Sequence, residues 1–333
     1  MRIKALGILT AVLVTLSSCW KEDERFVLQP AGNVTQKQVK MGESYDKIIY
    51  FNIHTQDFMV RSLADWDFAF ENTEKGLHIR MNGGKGFRAH ETSETDFAVG
   101  YTIVSGHEFK YDAPNGHLDS TGIGTWWSNT DGTSKGKLYI INTDPTKTSG
   151  TAHFKRFQVQ KADNTGFWVK VGNLDGSIDE KTYFIPKDAK YNYSYLNIAT
   201  GEVKTDLEPE KGTWDIVFTR YQHVYHDQGP EPLPYQVTGV LLNPNGVTAY
   251  EETKMKFEDI TLDYALGLKY TADADVIGFD WKYYNQTSGR FTVNPNLIYI
   301  VKTVSGYYYK LRFIDFYDEK GIKGNPLFDL QRL

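Results

Sequence analysis

Histidine side chains, which can bind metals or polar ligands, stand close together in one segment of this chain. The segment Arg220–Pro232 contains His223 and His226 among tyrosines and ends in a stretch rich in Gly and Pro. This pattern predicts a strand that runs into a loop, where binding residues are often found. Because the two histidines are three residues apart, an extended strand directs them to opposite sides. The segment is therefore a candidate binding site in which the two imidazoles do not share a face.

Sequence motifs of the common catalytic sites are absent from the chain. It has no Gly-x-Ser-x-Gly elbow, no His-Glu-x-x-His zinc helix and no phosphate-binding Gly loop. The glycines of residues 82–86 (NGGKG) predict a turn, since no helix pattern follows them. We therefore predict a binding protein and not an enzyme.

The N-terminus has the pattern of an export signal. Arg2 and Lys4 precede the apolar run 5–14, which is too short to span a bilayer. Residues 16–19 (LSSC) follow, and their Cys19, the only cysteine of the chain, lies where bacterial lipoproteins carry the acylated cysteine of the lipobox. This resemblance predicts a lipoprotein signal peptide over 1–18 and lipidation of Cys19, palmitate included. An ordinary signal peptide with a chance cysteine is the alternative.

The residues after Cys19 suggest where the chain resides. Residues 20–24 (WKEDE) resemble the acidic signals that send some lipoproteins to the outer face of the outer membrane. Residues 19–40 are polar and lack periodicity, which predicts a lipidated flexible tether. No second long apolar segment occurs, so we expect membrane contact through the lipid anchor only. The expected location is the outer membrane, with the protein facing the cell exterior.

Composition argues against one class of partner and favours β-structure. The formal net charge of −5 argues against a nucleic-acid partner, which would require a basic face. The 22 Tyr, 19 Phe and 7 Trp suit strands and surfaces that stack on flat ligands. Strand patterns bounded by turn residues occur at 46–54, 137–142, 166–171, 236–242, 296–303 and 307–316, whereas helix patterns are few and short. We predict an all-β fold of mostly antiparallel sheets with few short helices.

Internal similarity indicates a duplication. Several short motifs recur in the same order at nearly one spacing: 50–53 as 195–198, 66–70 as 214–218, 81–82 as 242–243, and 154–157 as 309–313. We therefore predict two tandem units, 41–180 and 181–333. The repeated Trp66 and Trp214 are predicted core anchors, and Asp67 and Asp215 are predicted to accept hydrogen bonds from backbone amides at a strand end.

The repeated Trp-Asp motifs, the segment 235–243 (YQVTGVLLN) and the C-terminal stretch 309–328 together resemble one family. They are similar to the HmuY-type lipoproteins, which are haem-binding, haemophore-like surface proteins. The resemblance implies an all-β fold, present here as two tandem HmuY-like units. It also implies haem as the ligand, held in a groove by two axial His or Met side chains and passed to an outer-membrane receptor.

The same resemblance turns the polar candidates into candidate haem ligands, because haem iron accepts His and Met side chains. His223, His226, His90 and Met81 are the candidates, with Met255 as a further partner. Since His223 and His226 face opposite sides, one of them with a residue from elsewhere is the workable pair. No metal beyond haem iron is predicted. Lys155, Arg156, Lys310 and Arg312 alternate with apolar residues, so they are predicted on the solvent face of strands, where a role at the haem propionates stays open.

Two functions of different class follow. The first is a surface lipoprotein that takes haem, free or from a haem-carrying host protein, and passes it to an outer-membrane haem receptor. The second is a surface lipoprotein that keeps the fold without an iron site and binds glycans or host proteins. Trp126 and Trp127, in a stretch rich in Gly, Ser and Thr, would be its stacking platform. A hydrophobic contact under a long loop is the alternative reading of that pair.

Overall fold

The regular structure of the described residues is almost entirely antiparallel β-sheet. A computed structural model describes residues 31–103, 106–176, 179–226, 228–230 and 232–333. In these ranges every strand pair is antiparallel. Helical structure there is limited to α1 (Leu262–Leu266) and to the 3-10 turns Leu63–Asp65, Gly83–Lys85 and Phe257–Asp259. The predicted all-β class is confirmed.

The strands follow the sequence patterns closely. Their bounds are β1 Thr35–Gln38, β2 Lys47–Phe51, β3 Phe58–Ser62, β4 Phe68–Glu71, β5 Ile79–Met81, β6 Arg88–Glu91, β7 Tyr139–Asn142, β8 Phe154–Ala162, β9 Gly166–Asn173, β10 Lys181–Pro186, β11 Tyr193–Asn197, β12 Glu202–Lys204, β13 Ile216–Tyr225, β14 Leu233–Leu242, β15 Thr248–Glu252, β16 Lys282–Asn285, β17 Arg290–Val293, β18 Ile298–Lys302, β19 Tyr308–Tyr317 and β20 Lys323–Arg332. Each of the six strand-like runs of the sequence coincides with one of them. The glycine-rich stretch 82–86 is a turn, as predicted, and Gly86 ends it in the left-handed conformation (φ 77°) that glycine favours.

Strand order in the sheets shows the duplication. One five-stranded sheet has the order β1-β20-β19-β18-β15 and the other has β10-β9-β8-β7-β6. Two four-stranded sheets have the orders β14-β13-β2-β3 and β5-β4-β11-β12. Strand β1 thus corresponds to β10, β2 to β11, β3 to β12, β4 to β13, β5 to β14, β6 to β15, β7 to β18, β8 to β19 and β9 to β20. We call β1–β9 the first repeat and β10–β20 the second; β16 and β17 form an additional hairpin in the second.

The two repeats exchange their first strands. Strand β1 pairs with β20, and its counterpart β10 pairs with β9. Strand β2 pairs with β13, and its counterpart β11 pairs with β4. Each repeat therefore completes the sheets of the other, and Ala31–Leu333 forms one compact unit. The units 41–180 and 181–333 are not separate bodies, and their boundaries stay a proposal about the sequence repeat.

Two buried aspartates accept hydrogen bonds from backbone amides, as predicted from the Trp-Asp motifs, and these bonds join the two repeats. Asp215 accepts hydrogen bonds from the backbone N–H of Ile53 at 2.7 Å and of Val304 at 2.8 Å. Its counterpart Asp67 accepts from the N–H of Ile198 at 2.7 Å and from Nζ of Lys85 at 2.6 Å. Ile53 and Ile198 belong to the recurring motifs, so each aspartate binds the exchanged segment of the other repeat. The two Trp-Asp motifs therefore make equivalent contacts across the two repeats.

Asn82 and Asn243, at equivalent positions of the two repeats, also make equivalent hydrogen bonds. Nδ2 of Asn82 donates to the carbonyls of Leu63 (3.0 Å) and Trp66 (2.9 Å). Nδ2 of Asn243 donates to the carbonyls of Lys211 (2.8 Å) and Trp214 (2.7 Å). The equivalent side chains therefore make equivalent contacts in both repeats.

Of the three predictions for the N-terminus, the structure bears only on the tether. The signal peptide 1–18 and Cys19 lie outside the described residues. The tether 19–40 was predicted too long, because Thr35–Gln38 is a strand. This polar segment has no apolar face of its own, yet it pairs with the edge of β20 from Leu330 to Leu327. No helix of the described ranges is long and apolar enough to cross a membrane.

The prediction that Arg156 and Lys310 lie on the solvent face of strands is wrong. Arg156 and Lys310 are almost fully buried and not on a solvent face. Arg156 donates to the carbonyls of Asn173 and Phe97. Nζ of Lys310 donates to the carbonyls of Phe257 and Ile260. Loop carbonyls supply acceptors that period-two alternation does not reveal, so these cations stabilise loops and are not exposed to a ligand.

Candidate functional site

His223 lies in an aromatic cluster near the end of β13. Alternate residues of a strand share a face, so Tyr221, His223 and Tyr225 lie on the same side of β13. The His223 ring lies 4.7 Å from Tyr225 and 4.9 Å from Phe279, between ring centroids. On the neighbouring strand β14, Tyr235 pairs with His223 and its side chain lies 6.2 Å from Tyr225. We call His223, Tyr225, Tyr235 and Phe279 the His223 cluster.

The imidazole of His223 is available to a ligand. Its side chain is half-buried and is held by ring contacts with Tyr225 and Phe279, and none of the hydrogen bonds among the described residues involves its ring nitrogens. Two carboxyl groups, those of Asp275 and Asp280, lie close enough to interact with it. Burial raises the pKa of both carboxyls, and the nearby His223 opposes that rise. A half-buried imidazole of this kind can donate a nitrogen lone pair to a metal without breaking an existing bond.

An exposed apolar surface borders the cluster on β14. Tyr235 is 57% exposed and Leu233 is 48% exposed. Large exposed apolar side chains that adjoin each other often mark a ligand-binding or interaction site. The cluster therefore combines one free imidazole with flat aromatic surface, which fits one axial ligand and one face of a porphyrin. A second axial ligand is not evident in the described part of the cluster.

The neighbouring His226 is placed differently. It follows the last residue of β13, and its side chain is exposed. The structure thus separates the two histidines of the segment, one in the aromatic cluster and the other at the surface.

His90 lies in a second histidine cluster, in the first repeat. Nδ1 of His90 is 2.9 Å from the carbonyl oxygen of Glu108, which can only accept, so this nitrogen carries the proton. Nε2 is 3.5 Å from the hydroxyl of Tyr101, which is also 3.5 Å from Nε2 of His107. The rings of His90 and His107 are stacked at 4.4 Å with an angle of 13°. The stacked His107 covers one face of His90, and Nε2 of each ring lies beside the same Tyr101 hydroxyl.

Sequence reasoning did not identify His107 and Tyr101 as neighbours of His90. They lie in the long insertion between β6 and β7, which has no regular periodicity. Among the described residues no group of three or more His, Cys, Asp or Glu side chains could hold a metal ion.

Met81 does not fit the role of haem ligand. Its side chain is 3% exposed and belongs to a core that contains residues of both repeats. Its N–H donates to Asp112, and its methyl group packs tightly against Gly122. The sulfur of this nearly fully buried side chain is therefore not presented at the protein surface.

The aromatic pair of the alternative function is likewise largely buried. Trp126 is 1% exposed, and its Nε1 donates to the carbonyl of Leu77 at 2.6 Å. Trp127 stands edge-on to it at 5.7 Å and to His78 at 5.1 Å. Trp126 is thus a core residue, and the predicted two-ring platform for sugars does not form.

Comparison with known proteins supports the resemblance found in the sequence. The family model described as HmuY protein matches residues 189–330, which include the whole His223 cluster. No curated protein matches the chain.

Solved structures similar to the chain include apo PinO from Porphyromonas gingivitis, with 12% identity, a TM-score of 0.28, and coverage of 90% of this chain and 97% of that one. A putative HmuY-like heme-binding protein from Bacteroides vulgatus has 11% identity, a TM-score of 0.23, and coverage of 91% and 97%. The apo HmuY analogue of Tannerella forsythia has 12% identity, a TM-score of 0.25, and coverage of 91% and 98%.

Proposed function

We propose that the HmuY domain of residues 189–330 binds haem at the His223 cluster, with His223 as an axial ligand. The observation that carries the proposal is the free, half-buried imidazole of His223 beside Phe279 and Tyr225 inside the matched range. Haem is the ligand that the HmuY-type resemblance implies. When bound, it would supply an iron that accepts a nitrogen ligand.

The residues of the cluster have separate roles in this proposal. His223 supplies the nitrogen lone pair, and Phe279 and Tyr225 fix the plane of its ring. Tyr235 and Leu233 offer exposed apolar surface to the macrocycle, because burial of such surface drives ligand binding. The function is binding and release without turnover.

The cellular role we propose is haem capture at the cell surface, for delivery to an outer-membrane receptor. It combines the haem site with the lipid anchor predicted at Cys19, which would hold the protein at the outer membrane, facing the exterior. The buried Trp126 gives no support to the glycan-binding alternative.

Equilibrium titration with haemin tests the proposal, using the chain from residue 20 onward. Quenching of tryptophan fluorescence reports the affinity of the wild type, of His223→Ala and of the matched control His226→Ala. We expect His223→Ala to weaken binding by about tenfold or more, since a lost ligand bond worth ~1.4 kcal/mol corresponds to that factor. The exposed His226 should change the affinity less than about threefold. Equal affinities for the wild type and His223→Ala would refute His223 as the ligand.

A further inference from the structure

An aromatic cavity lies where the two repeats meet. Its volume is about 190 Å³. Its walls include two pairs of aromatic residues at equivalent positions of the repeats, Tyr50 with Tyr195 and Trp66 with Trp214. Tyr50 contacts Trp214 edge-to-face at 5.0 Å, and Trp66 contacts Tyr195 edge-to-face at 5.6 Å. The duplication thus places four rings around one cavity, which is separate from the His223 cluster.

The size of the cavity limits what it can hold. A buried cavity of roughly 150 Å³ accommodates benzene, whereas pockets for drug-sized ligands begin near roughly 300 Å³. A molecule of one ring with a short substituent therefore fits within it.

Two buried polar groups of the wall keep unused hydrogen-bonding capacity, the indole N–H of Trp214 and the carboxyl of Glu208. Trp214 is 4% exposed, and its Nε1 has no hydrogen-bond partner in the described ranges. Glu208 is 1% exposed and makes no ion pair among the described residues, and the nearby positive charge of Lys211 only partly offsets the effect of its burial. An unpaired buried carboxylate is costly, and burial raises the pKa of Glu208 to about 7.

The carboxyl group of Glu208 is nevertheless held in a fixed orientation. It accepts from the backbone N–H of Tyr193 at 2.8 Å and from Nδ2 of Asn192 at 3.2 Å. Since an ionised carboxylate offers about four lone-pair sites, it can accept a further donor from a ligand.

The guanidinium groups that line the cavity are already bound to protein acceptors. Nε of Arg80 donates to the hydroxyl of Tyr193 at 3.2 Å, and Nη2 donates to backbone carbonyls of Gly116 and His117. The buried Asp112 also opposes its charge. Nε of Arg220 donates to the carbonyl of Gly84 at 2.7 Å. Of the charged groups in the wall, Glu208 is therefore the one that best matches a ligand of opposite charge.

We propose that the aromatic cavity binds a small organic amine of about one ring, with its ammonium group on Glu208 and its ring among Tyr50, Tyr195, Trp66 and Trp214. Aromatic faces attract cations, and a charge-assisted hydrogen bond to a carboxylate fixes their position.

Three probes of nearly equal size and different charge test the proposal: benzylammonium, benzyl alcohol and benzoate. Isothermal titration calorimetry on the chain from residue 20 onward measures their affinities. We expect benzylammonium to bind about tenfold more tightly than benzyl alcohol, and benzoate to bind most weakly. In Glu208→Gln the preference for the cation over the alcohol should fall to less than about threefold. The control Glu210→Gln, an exposed glutamate paired with Lys190, should keep it.

A second measurement uses the wild type alone. Because burial raises the pKa of Glu208 to about 7, ammonium binding at this pH should release protons, detected by calorimetry in buffers with different ionisation enthalpies. Tightest binding of benzoate, no binding of any probe, or an unchanged cation preference in a folded Glu208→Gln would overturn the proposal. Haem affinity is expected to stay unchanged in Glu208→Gln, so the two sites are tested separately.

Discussion

Removal of the Asp215 carboxylate tests whether the reciprocal aspartate bonds hold the exchanged repeats together. Asp215→Ala would leave the N–H of Ile53, which is fully buried, and that of Val304, which is partly buried, without acceptors. Each unsatisfied buried amide costs about 1–3 kcal/mol. Burial raises the pKa of Asp215, so the alanine also removes a desolvation cost. We therefore expect a net loss of about 3 kcal/mol in the free energy of unfolding.

Urea denaturation, followed by tryptophan fluorescence and circular dichroism, measures this loss. The midpoint should fall while the dependence on urea stays constant, since the exposed surface of the unfolded chain is unchanged. Asp57→Ala, in the exposed turn between β2 and β3, is the matched control and should change stability by less than about 0.5 kcal/mol. Asp67→Ala should cost less than Asp215→Ala, because one of its donors is the partly exposed Lys85. A loss below about 1 kcal/mol for Asp215→Ala would refute the reasoning.

Three further predictions concern stability and assembly. Burial raises the pKa of Glu208 from 4.5 to about 7. As the pH rises from 4.5 to above 7, the free energy of unfolding of the wild type should therefore fall by up to about 3 kcal/mol relative to that of Glu208→Gln. A stability difference that does not change with pH in urea titrations would contradict this. Arg156→Met should lower the free energy of unfolding by about 3 kcal/mol, because buried carbonyls lose their donor. The control Lys161→Met, at an exposed position of the same strand, should lower it by less than about 1 kcal/mol. Equal urea midpoints for the two variants would argue against this role of Arg156. Removal of residues 1–38 should expose the edge of β20 and cause concentration-dependent association in sedimentation, and a monomer at all concentrations would speak against that role of β1.

The duplication could be predicted from the sequence because the repeated motifs contain the residues whose hydrogen bonds join the two repeats. Trp-Asp recurs at 66–67 and 214–215, and the structure gives both aspartates equivalent amide donors. The strand runs were also accessible, since apolar alternation reports burial on one face. In β19, Tyr309, Leu311 and Phe313 are buried as their spacing predicts.

The exchange between the repeats could not be read from the sequence. A motif comparison shows which segments are equivalent, but pairing of β2 with β4 of its own repeat or with β13 of the other would satisfy the same pattern. Burial of Arg156 and Lys310 depends on loop carbonyls distant in the chain. The same limit applies to the candidate site: His223 and His226 look alike in sequence, yet Phe279, from a distant segment, packs against only the first.

The absorbance spectrum of bound haemin tests the central claim most directly. The wild type from residue 20 onward, His223→Ala and His226→Ala are each saturated with haemin, in oxidised and in reduced form. We expect a sharpened, shifted Soret band with low-spin features in the wild type and in His226→Ala. His223→Ala should lose these features and recover them when free imidazole is added, because imidazole can replace the missing ligand. An unchanged low-spin spectrum in His223→Ala, or a wild-type spectrum no different from nonspecifically bound haemin, would contradict the account.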